Sequence, residues 1–237
     1  MIDANTVFGF WPRRKVDISI ERLLAMADKY RLKQILSLSL KGVLYDDDEG
    51  NAETLRSARH HREIIPVATI DPRKYFKKSN KVSRLKDQGF KMLRLFPDLQ
   101  GWPIEYLPFY AILEELEEAG MPLMISLPGC GDATRIVKIT KGSAFPIIMT
   151  NIWYGLYSEI ISAALASNNI YAETHWFDSP DAYEVLADAI GANRIIFGSM
   201  MPLYYFHASY LLLKNTGISK KQKDLIGSEN IKKLISR

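Results

Sequence analysis

Short runs of β-branched and other apolar residues alternate along this chain with longer stretches whose apolar positions recur every three to four residues. The first pattern suits buried strands and the second amphipathic helices. Read in order, it predicts strands over residues 2–5, 34–40, 64–70, 91–96, 122–127, 146–152, 170–176 and 194–199. The helices predicted between them begin with one capped by Ser19, with Leu23, Met26, Ala27 and Tyr30 on one face. An acidic loop, Asp46-Asp47-Asp48, precedes a helix over about 51–62, and others follow over about 74–88, through Leu113 and Leu116, over 133–139 and over 156–167. Ser179-Pro180 starts the next, and a final helical region runs from Leu203. Gly89 and Gly120 suit helix ends because glycine takes positive φ without strain, and Ser219-Lys220-Lys221-Gln222 reads as a capping box. Eight strands in strict alternation with helices predict an α/β protein, a single-domain (β/α)8 TIM barrel over residues 1–237.

Composition narrows the function classes. With 47% hydrophobic residues and no apolar run near the roughly 18 needed to span a bilayer, the chain is expected to be soluble, with no membrane partner. The single cysteine, Cys130, excludes an intramolecular disulfide and any multi-cysteine zinc site. Much of the net charge of +4 comes from Lys214, Lys220, Lys221, Lys223, Lys232, Lys233 and Arg237. No aromatics interleave with them, so a solvated helix face is expected and nucleic-acid binding is not. The amino terminus lacks the basic and apolar regions of a signal peptide, which points to the cytoplasm, and nothing here argues against a homo-oligomer.

In such barrels chemistry sits at the C-terminal ends of the strands. That rule selects Asn5, Arg13, Arg14, Lys41, Tyr45, Asp46, Asp71, Arg73, Arg94, Ser126, Cys130, Asn151, Glu173, His175, Trp176, Ser199 and Met200. Strand alternation puts Tyr171, Glu173 and His175 on one face. A carboxylate beside an imidazole makes Glu173 and His175 the candidate acid–base pair, and structural ion pairing with Arg94 is the competing reading. Arg94 itself lies between Leu93 and Leu95, which must face the other way. An arginine buried in a strand needs an anion, either Glu173 or a ligand. Cys130 is a candidate nucleophile, and Pro128-Gly129-Cys130-Gly131 a candidate backbone anion cradle. Arg13, Ser126, Asn151 and Trp176 complete the expected binding set.

Several segments carry a family likeness. Ile2-Asp3-Ala4-Asn5-Thr6-Val7 before Gly9, Ile65-Pro66-Val67-Ala68 before Asp71-Pro72, and Gly89-Phe90-Lys91-Met92-Leu93-Arg94-Leu95 recur in order. So do Asn169-Ile170-Tyr171-Ala172-Glu173-Thr174, Arg194-Ile195-Ile196-Phe197-Gly198-Ser199-Met200-Met201-Pro202 and Gly227-Ser228-Glu229-Asn230. Together they resemble the amidohydrolase-related barrel hydrolases over nearly the whole chain. The resemblance implies a metal-dependent hydrolase with histidines at positions 5 and 7, further histidines on strands 5 and 6, and an aspartate after Gly198-Ser199. This chain instead has Asn5, Val7, Ser126, Thr150 or Asn151, and Met200. Where some relatives use a strand-4 lysine, Arg94 stands. Zinc and similar ions need imidazole, thiolate or carboxylate donors, so no metal and no other cofactor is expected.

The expectation is therefore a metal-independent hydrolase, lyase or isomerase acting on a small anionic, carboxylate or sugar-like molecule. Catalysis would fall to His175 and Glu173, and binding to Arg94, Asn5, Arg13, Ser126, Asn151 and Trp176. A non-catalytic ligand-binding or assembly protein on the same scaffold is the alternative. An unorthodox ion site from Asp3, Asp46, Glu173 and His175 is a third.

Overall fold

Apolar residues on both faces of every strand require cover on both sides, and the chain provides it by closing its strands into a ring inside a layer of helices. The computed structural model describes residues 1–76 and 78–236; Lys77, inside the predicted helix 74–88, and Arg237, of the basic tail, lie outside the described residues. The alternating elements are β1 (Ile2–Phe8), α1 (Ile20–Lys29), β2 (Gln34–Ser39), α2 (Asp47–His60), β3 (Ile64–Pro66), α3 (Lys81–Asp87), β4 (Leu93–Leu95) and α4 (Leu107–Ala119). They continue with β5 (Leu123–Ser126), α5 (Asp132–Ile139), β6 (Ile147–Thr150), α6 (Tyr157–Ala166), β7 (Ile170–Glu173), α7 (Ala182–Ile190), β8 (Ile195–Ile196) and α8 (Phe206–Asn215).

All neighbouring strands pair in parallel, in the orders β1-β2-β3 and β4-β5-β6-β7-β8. Two seams join these arcs. Ala68 donates to the Met92 carbonyl at 2.9 Å and accepts from the Arg94 amide at 2.8 Å. Ala4 donates to Phe197 O at 3.0 Å, Val7 to Met201 O at 3.1 Å, and Met200 to Asn5 O at 2.6 Å. Side chains then sort by alternation. Met92, Phe96, Met124, Ile148 and Ile196 fill the barrel, whereas Leu93, Leu95, Leu123, Ile125, Ile147 and Met149 pack beneath the helices.

The predicted alternation holds, and the differences lie at element boundaries. Ladder pairing in β3, β4, β7 and β8 stops short of the predicted strand ends, and the chain passes there into the loops of the mouth. The acidic loop is the start of a helix: Asp46 caps α2 by accepting from the Glu49 amide at 3.0 Å, and Asp47 and Asp48 fill its first turn. Carboxylates there satisfy free amides and the positive end of the helix dipole. The helix predicted over about 74–88 is a short 3-10 turn, Pro72–Lys74, followed by α3. Between them Glu115 accepts from the amides of Ser79, Asn80 and Val82 at 2.8–3.0 Å, and the loop wraps around that buried carboxylate. Asp181, rather than Ser179, precedes α7. The caps at Ser19 and Ser219, and the left-handed glycine at 120, match their prediction. Among the described residues no helix is long and apolar enough to cross a membrane.

One packing contact tolerates no side chain. A Cβ on Gly50 would lie 2.1 Å from Gly42 N and 2.2 Å from Gly42 Cα, where α2 crosses the short helix Lys41–Leu44. Gly50→Ala is therefore expected to destabilise the fold by about 1–3 kcal/mol, as overpacking does. Urea unfolding measures it; an unchanged midpoint would contradict this crossing.

Candidate active site at the barrel mouth

The seam between β1 and β8 sets the geometry of the site. Between Asp3 and Thr6 the pairing register of β1 shifts, an irregularity of the kind that re-aims side chains. Ala4 joins the inner apolar cluster, and its immediate neighbour Asn5 also reaches inward. The Asn5 amide oxygen accepts from Arg94 Nη1, while its Nδ2 lies 3.3 Å from His175 Nδ1. The second terminal nitrogen, Arg94 Nη2, lies 3.3 Å from Met200 Sδ, and the Phe96 ring centroid is 4.4 Å from Arg94 Cζ. Arg94, on β4, is 1% exposed.

Glu173, the last residue of β7, and His175, in the turn that follows and not on the strand predicted to reach 176, come together. Glu173 Oε2 lies 2.6 Å from His175 Nδ1, and Oε1 accepts from the His175 amide at 3.0 Å. A carboxylate only accepts, so this contact puts the ring proton on Nδ1 and leaves the lone pair of a neutral imidazole on Nε2. Asn5 Nδ2 is then a close neighbour of Nδ1 and not a second donor to it. A Cβ on Gly198 would stand 1.9 Å from Glu173 Oε1, so only glycine leaves room for the carboxylate. Trp176 and Tyr204 cover the imidazole, with ring centroids 5.5 Å and 6.0 Å from it, and are themselves 37% and 40% exposed.

Two buried atoms in this cluster, Arg94 Nε and His175 Nε2, have no hydrogen-bond partner among the described residues. Burial pushes the Arg94 guanidinium down to about 10, against the upward pull of Glu173, Asp98 and Asp3. Two backbone positions at the mouth are left-handed without being glycine, Asn151 at φ 64 and Met200 at φ 55. Such strain concentrates at functional sites.

The remaining predicted residues separate into two groups. Ser126 and Asn151 are buried at neighbouring strand ends: Thr150 donates to Ser126 Oγ at 3.3 Å, and Asn151 Nδ2 to Asp98 Oδ2 at 3.3 Å. Arg13 is not in the cluster; it is exposed, with its guanidinium 5.5 Å from the Trp11 ring. The other rim cations have partners of their own. Arg73 pairs with Asp71 at 2.9 Å, Lys41 with Glu49, and Arg14 donates to Leu203 O at 2.6 Å. The suggested anion cradle is occupied by the chain itself, since Gly131 N donates to Glu159 and Gly129 N to Asp132 at 2.8 and 3.0 Å. Cys130 is exposed in that loop, with Sγ 4.0 Å from the Gly155 carbonyl. Residues outside the predicted set also belong here. Asp98 stands three positions past β4 and within the strand-end rule, and burial raises its carboxyl. Tyr204 follows β8 by several residues, and only the turn at Met200–Leu203 returns it to His175.

The donors do not fit a divalent ion. The Asn5 amide oxygen and Met200 sulfur face a guanidinium, Val7 lies in the inner apolar cluster, and Asp3 is occupied by Ser199 Oγ and by the amides of Asn5 and Ser199 at 3.1 Å. Among the described residues the carboxylates close enough to share an ion are Asp46, Asp47 and Asp48. These are the α2 cap and the partners of Lys81, at 2.9 and 2.7 Å, so Asp46 does not join Asp3, Glu173 and His175.

A parallel eight-stranded barrel with a polar cluster at its strand ends is the class this architecture defines. The amidohydrolase family profile matches residues 55–237, and the chain belongs to that family. Its fold resembles a putative 2-pyrone-4,6-dicarboxylic acid hydrolase from Pseudomonas putida, with TM-score 0.77 and 14% identity over 99% of this chain and 97% of that one. It also resembles 2,6-dihydroxybenzoate decarboxylase from Rhizobium, with TM-score 0.77, 11% identity and the same coverage. A third is 5-carboxyvanillate decarboxylase from Novosphingobium aromaticivorans, solved with manganese and a nitrobenzoic acid, with TM-score 0.69 and 15% identity over 91% and 80%. No curated protein matches the chain.

Asp3 makes the site sensitive to pH. Burial raises its carboxyl from 3.8 to about 7, against hydrogen bonds from Ser199 and Asn5 that favour the anion. At Asp3, therefore, the folded state binds more protons than the unfolded one between about pH 4 and 7. Stability attributable to Asp3 is complete below that window and falls as pH rises through it, by on the order of 2–4 kcal/mol. Urea midpoints of the wild type should fall relative to those of Asp3→Asn between about pH 4 and 7; parallel profiles would refute this assignment.

Proposed function

We propose that this chain is a metal-independent member of the family that binds a small carboxylate anion at the barrel mouth and moves a proton with His175. The observation carrying this reading is the pair of unpartnered buried atoms, Arg94 Nε and His175 Nε2, in one connected cluster. A cationic donor and an acceptor nitrogen in one cluster suit a ligand that carries an anionic oxygen and a transferable proton. The names of the similar structures, a dicarboxylic acid hydrolase and two decarboxylases acting on carboxylated rings, support the same substrate class.

The residues divide the work by their charge. Arg94 binds the carboxylate, and its orientation is held by Asn5, Met200 and Phe96. Glu173 keeps the proton on His175 Nδ1, so Nε2 acts as the base. In a hydrolysis, Nε2 takes a proton from water as the water oxygen bonds to the substrate carbonyl carbon. The resulting imidazolium, stabilised by Glu173, returns that proton to the departing oxygen when the carbon–oxygen bond breaks. In elimination or isomerisation the same nitrogen takes the proton from carbon. Trp176 and Tyr204 stand over the imidazole and limit the water around it. One observation favours the second reading, a non-catalytic binding protein: the Glu173 and His175 side chains are 0% and 1% exposed, as in a purely structural pair.

A thermal-shift screen of small mono- and dicarboxylic acids and their cyclic esters identifies a ligand, and calorimetry with variants then separates the readings. His175→Ala should lower turnover by about 10²–10⁴-fold, with affinity nearly unchanged. Arg94→Lys should weaken binding by roughly 10–100-fold, because an ammonium cannot reproduce the planar guanidinium donors. A wild-type protein that binds carboxylates without converting any would favour the non-catalytic reading. One that binds none would defeat both.

A further inference from the structure

We infer that the Arg94 guanidinium is the resident cation of this barrel, standing where the family's scaffold holds a metal ion and closing the site to divalent cations. The inference concerns what occupies the mouth and does not rest on the proposed reaction. Its basis is the convergence of two distant positions. By the resemblance, Asn5 on β1 and Met200 after β8 stand where the family's strand-1 histidine and strand-8 aspartate would be, and each touches one terminal nitrogen of the same guanidinium. The side chain of β4 thus reaches the point on which that pair of positions converges. The acidic groups Glu173, Asp98 and Asp3 favour its charged form, and the Phe96 ring closes one side 4.4 Å from Cζ.

Charge balance explains why these replacements occur together. Carboxyl groups enclosed in a barrel need a compensating cation, and an enclosed cation needs acceptors. A guanidinium is fixed to the chain and cannot dissociate, so it serves without histidine ligands. An amide oxygen and a thioether suit its N–H groups, whereas an additional imidazole or carboxylate set would have no ion to hold. A divalent ion entering the same space would meet both the bulk and the like charge of Arg94. Removing that side chain should leave an enclosed hole faced by Glu173, Asp98 and Asn5 that accepts a cation from solution.

The test uses the whole chain, freed of metal by chelation, with zinc chloride and methylguanidinium chloride as probes in calorimetry and thermal unfolding. Arg94→Ala should melt below the wild type, recover part of that loss in methylguanidinium, and bind about one zinc ion per chain. The wild type, in which the enclosed guanidinium fills the same space, should bind zinc there at least on the order of 100-fold more weakly, from like-charge repulsion alone. Adding Glu173→Gln to Arg94→Ala should abolish the acquired zinc site, which separates it from the surface carboxylates Asp46–Asp48. If Arg94→Ala does not fold, Arg94→Lys is measured instead; it keeps a point charge and should fold without taking up zinc. A stoichiometric ion on the wild type or on Arg94→Lys that is lost on Glu173→Gln would overturn the inference. So would a folded Arg94→Ala indifferent to both probes.

Discussion

Two short rows of main-chain hydrogen bonds, Ala4, Asn5 and Val7 with Phe197, Met200 and Met201, and Ala68 with Met92 and Arg94, turn two separate parallel arcs into a ring. Parallel strands expose unpaired edges unless something covers them, and here each edge covers another. The price in regularity is local: pairing at the seams is sparse, β1 shifts register, and Met200 adopts a left-handed conformation. Those irregularities lie where the polar cluster is built. The seam brings Asn5 and Met200 to the same guanidinium, and Asp3 to Ser199.

A buried cation then organises the mouth. Arg94 is enclosed, so its charge must be answered by its surroundings, and three carboxyl-bearing side chains on different elements do so. Each acidic group has in turn its own donors: Asp3 has Ser199 and the Asn5 amide, Asp98 has Asn151, and Glu173 has His175. In a low-dielectric interior such a network specifies one arrangement, because a displaced member leaves an unpaired charge or dipole behind. Arg94 Nε and His175 Nε2 are the exceptions, and they give the cluster a chemical direction.

The cluster gathers at and just past the C-terminal ends of the strands, the end at which barrels carry function. The side chains there do not compose a metal centre, and the proposed chemistry accordingly relies on a fixed positive charge and on one imidazole held in a single tautomer by Glu173. This chain has the architecture of its family.

Much of this was legible before any coordinates. Alternating periodicity determined the order of strands and helices, and period-two patterning determined that Arg94 points away from Leu93 and Leu95, because those are properties of local backbone geometry; His175, by contrast, lies past the end of β7 in a turn, and its contact with Glu173 is made there. Boundaries and helix starts were less legible: Asp46-Asp47-Asp48 has the composition of a loop, yet Asp46 caps a helix and Asp47 and Asp48 lie in its first turn, paired with Lys81. Which polar group meets which was decided only in three dimensions. Arg13 and Arg94 are equally basic in sequence, but the barrel encloses one and leaves the other stacked on Trp11 in solvent. Likewise nothing local links Asp98 to Asn151, Tyr204 to His175, or Asn5 to Met200. Those pairings exist because ring closure brings chain-distant strand ends within hydrogen-bond or van der Waals reach, and periodicity carries no information about contacts of that range.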